Sequence, residues 1–268
     1  MNTKEYILGI NQTELERLQF QHGVWKKVTG NFLDRLGIQK GWKCLDAGSG
    51  PGFVSMDILD RIGSGGEITL VEMSGEYLAH FEQEAKSKGI TNYKSMHSKI
   101  EDVALPEKHY DLIFSRWVID FVPDPERFLS HLIPALKPGG IIAIQDYYYE
   151  GLSLYPRGGA FDRMPDIARA YYRSGGGDAY TAGKIPAIFR KHGVKLTEYT
   201  PHIFAGDNKS EIIEWAHRFF VPHIPHMADI GLITKAEADA LVADWLAHRE
   251  NPDTLFFSPM VVDMAGKA

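Results

Sequence analysis

The stretch Lys43-Cys44-Leu45-Asp46-Ala47-Gly48-Ser49-Gly50-Pro51-Gly52-Phe53 runs from an apolar strand straight into a turn with glycine at every second position. Glycine has no Cβ, so backbone N–H groups around Gly48, Gly50 and Gly52 stay uncovered and a ligand can lie against the main chain. That pattern points to a nucleotide-like ligand. A dinucleotide turn has the spacing G-x-G-x-x-G, its third glycine letting helix and strand close up under a pyrophosphate. Here the third glycine comes one residue early, Phe53 stands where the dinucleotide pattern needs glycine, and Asp46 precedes the first glycine by two residues. An ordinary glycine-rich αβ turn is the plainer alternative, and the downstream segments decide against it.

The helix opened by the turn carries Phe53, Met56, Ile58 and Leu59 and stops at the glycine cluster Arg61 to Gly66. Glu67 to Val71 reads as a second strand ending at Glu72. In βαβ nucleotide folds an acid about 20 residues past the glycine turn accepts from the ribose hydroxyls; a solvated charge at a strand end is the alternative. Helical spacing follows from Gly75 to Ser87, with Tyr77, Leu78, Phe81 and Ala85 on one face. Strands are expected at Tyr93 to Met96, Tyr110 to Phe114 and Ile141 to Ile144, with a helix from Phe128 to Leu136 before the last of these. This alternation over residues 42 to 146 describes a parallel sheet, whose ligands sit at the carboxyl ends of the strands. Asp46, Gly48, Glu72, Ser115 and Asp146 all fall on that edge.

The turn Asp46-x-Gly48-x-Gly50-x-Gly52, the run Arg116 to Pro125 ending in Pro-Asp-Pro, and the connection Leu136-Lys137-Pro138-Gly139-Gly140 resemble the class I S-adenosylmethionine (SAM) methyltransferases. Tyr6 to Gly9 with Glu14, Arg17, Leu18, Gln21 and His22 resembles the amino-terminal helical lid of the small-molecule type. The resemblance is specific over residues 1 to 146 and looser beyond. It implies an α/β, Rossmann-like fold: a seven-stranded, mostly parallel sheet with helices on both faces, an antiparallel last strand at the sheet edge, and helical cap insertions. It also implies a division into a lid (1–40), a SAM-binding core (41–146), an aromatic-rich cap over the acceptor pocket (147–192), and a segment completing the sheet (193–268) with a helical insertion at 209–249.

The cofactor so implied is SAM, leaving as S-adenosylhomocysteine. By the resemblance Asp46, Ala47, Gly48, Gly50 and Gly52 hold its amino-acid end, Glu72 the ribose, and Met73 the adenine face. Lys99, Ile100 and Glu101 surround the base, Ser115 and Arg116 close strand four, and Tyr6 and Gln21 reach the methionine end from the lid. Lys99 departs from the usual pattern, since an ammonium cannot accept from the adenine amine as an aspartate does. Glu101, Asp102 or the backbone around Ile100 must do so. Trp117, Asp146, Tyr147 and Tyr172 are the candidates for facing the acceptor.

Other classes lose their chemistry. No Pro-Pro-aromatic grip for a flipped base follows strand four, and the only cysteine, Cys44, lies inside the first strand, away from where a cytosine-attacking nucleophile belongs. The formal net charge of −6 offers no cationic surface for phosphate backbones, so no nucleic-acid partner is expected. A lone cysteine suits the reducing cytoplasm; no signal peptide and no apolar run near ~20 residues suggests export or a membrane partner. With 268 residues, 44% of them hydrophobic, one substantial core is affordable.

His217, His223 and His226 crowd one segment, but Pro222 and Pro225 are expected to interrupt any helix there, and Gln145-Asp146 replaces the Asp-Asn pair of magnesium-dependent catechol enzymes. No metal is implied. Thr13 is expected to cap a helix through Trp25 that resumes after Thr29-Gly30. Further elements are a helix at Ile185 to Lys191, a sixth strand at Val194 to Tyr199, and a closing antiparallel strand at Thr254 to Val262. The expected reaction is in-line methyl transfer to a small-molecule acceptor, for which no dedicated catalytic residue is obligatory; His22, His223 and Asp146 are the weak candidates for a base. A nicotinamide oxidoreductase, disfavoured by Phe53, and a SAM-binding regulator without catalysis, hinted at by Lys99, are the alternatives.

Overall fold

The computed structural model describes residues 12–268, which leaves Tyr6 outside the described residues. Helix α1 (Gln12–Arg35) runs unbroken through Thr29 and Gly30. Thr13 therefore lies within the helix and does not cap it. The expected break is absent because the helix is pinned there: the buried Thr29 hydroxyl donates to Gln145 Oε1 at 2.6 Å, and the Gly30 carbonyl accepts from Arg61 Nη2 at 3.1 Å.

The nucleotide-binding half follows the sequence pattern closely: β1 (Lys43–Ala47), α2 (Phe53–Ile62), β2 (Glu67–Glu72), α3 (Gly75–Ser87), β3 (Tyr93–His97) and β4 (Tyr110–Arg116). Gly63 ends α2, and Ser74 caps α3 by accepting from the Tyr77 N–H at 3.2 Å. Helix α4 (Pro125–Leu132) starts before Phe128 because Asp124 caps it and proline tolerates the first turn. A 3₁₀ turn, Ile133–Ala135, replaces its expected last residues, and β5 (Leu136–Tyr148) is longer than its apolar centre suggests.

Beyond β5 come β6 (Ser153–Tyr155), α5 (Met164–Ser174), α6 (Ile185–Lys191), β7 (Lys195–His202), β8 (Ala205–Asp207), α7 (Glu211–Asp229), α8 (Lys235–Glu250), β9 (Leu255–Phe257) and β10 (Met260–Lys267). The main sheet has seven strands in the order β3-β2-β1-β4-β5-β10-β7, with β10 antiparallel to both neighbours and the other pairs parallel. The last strand is thus antiparallel as expected, but it is not at the edge. Its burial explains the placement: β10 is covered over nearly its whole length, as an inner strand must be, whereas β7 is polar and largely exposed and takes the edge. The expected closing strand Thr254 to Val262 is also two strands. Ser258 and Pro259 separate β9, which joins a small sheet in the order β6-β9-β8, from β10.

Helix α7 corrects a second expectation, since it passes through Pro222 and Pro225 without ending. A proline inside a helix costs about 3 kcal/mol or more in lost hydrogen bonding and crowding. Here Trp215, Phe220, Ile224 and Met227 are buried along the helix, and that burial outweighs the local penalty. These side chains join Trp25, Tyr149, Phe161 and Trp245 in a second core, outside the sheet, that α1, α5, α7 and α8 build over the carboxyl ends of the strands.

Candidate functional site

Asp46 enters the site at the end of β1, nearly fully buried, with Oδ2 accepting from the Ser55 hydroxyl at 2.6 Å. Burial pushes its carboxyl up to about 6, against the lowering by Ser55 and Arg116. The turn then folds onto β2. Gly48 and Ser49 N–H both donate to the Val71 carbonyl, at 2.9 and 3.2 Å. Gly50 N–H donates to Glu72 Oε2 at 2.9 Å, and Ser74 N–H donates to Oε1 at 2.8 Å. Glu72 is therefore the fastener between the glycine turn and the end of β2; burial raises its carboxyl, opposed by those two backbone donors.

Two of the glycines have distinct reasons. Gly52 has φ +77°, and a Cβ there would run into the Phe81 ring, so the turn can close on α3 only without a side chain. Gly50 has φ +54°, and a Cβ there would meet nothing within 4 Å. Its open side is the space a ligand can take.

A cavity of about 1430 Å³ lies along this edge. Of the expected cofactor residues, Gln21, Asp46, Gly48, Gly50, Glu72 and Met73 line it, as do Lys99, Ile100, Glu101 and Arg116. Trp117, Tyr147 and Tyr172 line its far part. Ala47, Gly52, Ser115 and Asp146 do not line it. Ser115 instead donates to the Ala47 carbonyl at 2.8 Å, locking β4 to β1. Asp146 is wholly buried behind the wall and accepts from the N–H groups of Val118 and Ile119, both at 2.8 Å, and of Tyr147 at 2.9 Å. It positions the loop after β4 and does not face the cavity, although burial lifts its carboxyl to about 6.

The two histidine candidates are also engaged elsewhere. His22 stacks on Phe53 at 5.4 Å, its Nδ1 takes a hydrogen bond from Arg116 Nη2 at 3.2 Å, and its Nε2 lies 3.5 Å from Asp57. Burial, then Arg116 and Lys26, lower it to about 3, so it stays neutral. His223 donates from Nδ1 to the Phe219 carbonyl at 2.6 Å and is lowered to about 4, chiefly by burial. Neither lines the cavity among the described residues.

Residues to which the sequence reading gave no individual role complete the site. Arg17 lies one helical turn from Gln21, and its Nη1 donates to Gln21 Oε1 at 2.9 Å while Trp215 Nε1 donates to the same oxygen at 3.0 Å. That network ties α1 to α7 across the cavity. The i, i+4 spacing of Arg17 and Gln21 was a usable signal. Tyr149 joins Tyr147 on one face of the chain leaving β5, as alternation predicts. Trp215 and Phe219 carry no local signal and reach the cavity only through tertiary packing, whereas His226, from the crowded histidine segment, and Tyr171, from the aromatic-rich cap, also line it. Trp117 itself has φ +55°, rare for a bulky residue, and is held there by its N–H on the Gln145 carbonyl at 3.0 Å, by Tyr147 stacked at 6.1 Å, and by the Arg116 guanidinium 4.3 Å from its ring.

Residues 38–171 match a methyltransferase-domain family. A ubiquinone/menaquinone biosynthesis C-methyltransferase UbiE of Psychromonas ingrahamii is 28% identical over 152 residues, which are 55% of this chain and 59% of that protein. The tRNA 5-carboxymethoxyuridine methyltransferase of Escherichia coli is 32% identical over 125 residues, 46% of each chain. The chain thus spans about half the length of the curated relatives it matches. The crystal structure of YcgJ from Bacillus subtilis superimposes with a TM-score of 0.61 at 16% identity, covering 89% of this chain and 97% of that one; this likeness concerns the fold.

Proposed function

The chain belongs to the class I SAM-dependent methyltransferase family, and from that premise we propose that it moves the methyl group of SAM to a small-molecule acceptor and releases S-adenosylhomocysteine. The observation that carries the reading is the open backbone at Gly50 beside Glu72, at the mouth of a cavity large enough for a nucleoside cofactor and a second molecule. The donor set fits the cofactor. Asp46 Oδ2 is taken by Ser55, while its other oxygen makes no hydrogen bond among the described residues and suits an ammonium group. Each oxygen of Glu72 accepts one backbone donor and keeps a lone pair for a ribose hydroxyl. Met73, 51% exposed at the cavity wall, offers a polarisable plate for a purine.

When bound, SAM supplies an electrophilic methyl carbon on a sulfonium. The chain's own contribution is placement: Asp46 holds the amino-acid end of the cofactor and Glu72 its ribose, α1 and α7 roof the cavity through Gln21 and Trp215, and the aromatic wall beyond Trp117 seats the acceptor and excludes water. Alignment of this kind is worth up to ~7–11 kcal/mol in favourable cases. With His22, His223 and Asp146 all engaged elsewhere, we assign no general base to them.

A small molecule is favoured over a nucleic acid by the net charge of −6, which opposes a phosphate backbone, even though one relative is named for a tRNA. No helix among the described residues is long and apolar enough to cross a membrane, and a single buried thiol, Cys44, suits the cytoplasm. The test has two parts. S-adenosylhomocysteine should bind in a calorimeter and NADH should not, and labelled methyl donor added to a metabolite extract should mark a small product. Binding of NADH alone would overturn the reading.

A further inference from the structure

This inference rests on the methyl-transfer reading and concerns what the far part of the same cavity accepts. That part is walled by rings. Trp117 and Tyr147 stack with centroids 6.1 Å apart and planes 18° apart, Tyr147 and Tyr149 meet at 5.8 Å, Tyr149 and Tyr172 at 5.5 Å, and Tyr172 and Phe121 at 5.1 Å. Helix α7 adds Trp215, Phe219 and Phe220. The hydroxyls of Tyr147, Tyr149 and Tyr172 make no hydrogen bond among the described residues, and they are not among the occluded, unpartnered polar atoms either. They remain available to an occupant.

Charges are distributed just as unevenly. The acids lining the cavity, Asp46, Glu72 and Glu101, sit at the ends of β1 and β2 and the loop after β3. Arg17 is already chelated by Glu14, with its Nε and Nη2 each 2.7 Å from a carboxylate oxygen. Arg116 donates to Thr29 and His22 and faces the charges of Asp46 and Asp57. Among the described residues an anionic acceptor would therefore find no unspent cation at the ring wall. Among the described residues a cationic one would find no carboxylate lining it, since Asp120 and Asp146 lie buried behind the tyrosines with their carboxyls raised by burial, and it would share the Trp117 ring with the Arg116 guanidinium. Burying an uncompensated charge is costly, whereas ring on ring is favourable.

We propose that the acceptor is an uncharged, planar aromatic molecule bearing a hydroxyl or carbonyl oxygen, seated between the tyrosine wall of Tyr147, Tyr149 and Tyr172 and the rings of α7. Tyrosine hydroxyls of this wall donate to its oxygen, which has lone pairs for two of them, and burial keeps all three protonated.

The proposal is tested with a matched series, 2-naphthol, 2-naphthoate and 2-naphthylmethylammonium, titrated by calorimetry into the full chain with and without S-adenosylhomocysteine. 2-Naphthol should bind at least about 10-fold more tightly than either ion. A Tyr149→Phe, Tyr172→Phe double variant should weaken 2-naphthol several-fold and leave S-adenosylhomocysteine unchanged. Equal or tighter binding of either charged analogue, no binding of 2-naphthol, or an unchanged affinity in the double variant would each overturn it. Failure of S-adenosylhomocysteine to bind, with the preference for 2-naphthol intact, would instead remove the methyl-transfer reading and leave the neutral aromatic site standing.

Discussion

The two halves of the cavity are made of different material. At the ends of β1 and β2 the lining is mostly backbone and carboxylate, drawn from one βαβ unit, and its side chains are already committed to holding the turn in shape. Beyond Trp117 the lining is mostly aromatic side chains brought together from β5, α5 and α7, with the hydroxyls of Tyr147, Tyr149 and Tyr172 unspent among the described residues. The first half has the rigidity needed to hold one ligand in one pose. In the second, substituting side chains changes what is bound without disturbing the strand ends. One fold can thus keep a cofactor while its acceptor varies.

Glu72→Ala asks the most of this division. It removes the acceptor of the Gly50 and Ser74 N–H groups and the group assigned to the ribose. Charged hydrogen bonds are worth roughly 1.5–3 kcal/mol, so affinity for S-adenosylhomocysteine should fall about 10- to 100-fold. 2-Naphthol should bind within about twofold of the unaltered protein. A parallel loss of both ligands in calorimetry would mean that the halves form one cooperative unit.

The pH dependence should separate the halves by a smaller margin. Because the Asp46 carboxyl titrates near 6 in the folded chain, above the 3.8 of an unburied aspartate, its contribution to stability without ligand is fully present below about pH 4 and is lost as pH rises through about 6. An ammonium group on the ligand reverses the preference, since only the ionised carboxylate accepts from it. Affinity for S-adenosylhomocysteine should therefore weaken as pH falls from 7 to 5, by up to about tenfold per unit below 6. Asp46→Asn should flatten that slope, and 2-naphthol should show none. A slope that survives in Asp46→Asn would assign the titration to another group.

How much of this was legible from residues alone follows the same division. The turn from Asp46 to Gly52, the acid at Glu72 and α3 with its face of Tyr77, Leu78, Phe81 and Ala85 are local patterns, and the structure places all of them where spacing put them. The antiparallel hand of β10 came from the family resemblance and not from its residues; its place inside β7 came from neither, because strand order depends on which strand can bear exposure, and that is a property of the assembled sheet. Pro222 and Pro225 misled for a related reason. Local propensity argued for a break, and burial of α7 against the second core overrode it. Asp146 shows the limit at a single residue: its position at a strand end marked it as a site group, but three backbone N–H donors, from Val118, Ile119 and Tyr147, turn it into a brace behind the wall. Phe219 and Trp215 could not be assigned from α7's sequence, since a helix with apolar residues all along it does not say which of them meets a cavity.

Phe219→Ala is the mirror image of the glutamate variant and should have the smallest effect of the three. The ring lines the far part of the cavity, stacks on His223 at 4.4 Å and is only partly buried. An aromatic pair is worth about 0.5–1.5 kcal/mol beyond its area, so 2-naphthol should bind roughly 3- to 10-fold more weakly while S-adenosylhomocysteine is unaffected. The histidine supplies an independent readout. Burial is the main cause holding His223 at about 4, and opening that face should raise its midpoint toward the ordinary 6.5, which NMR titration of the imidazole would record. If the His223 midpoint rises and 2-naphthol binding stays the same, Phe219 packs against the histidine without touching the acceptor, and the aromatic wall ends at Trp117 and the tyrosines.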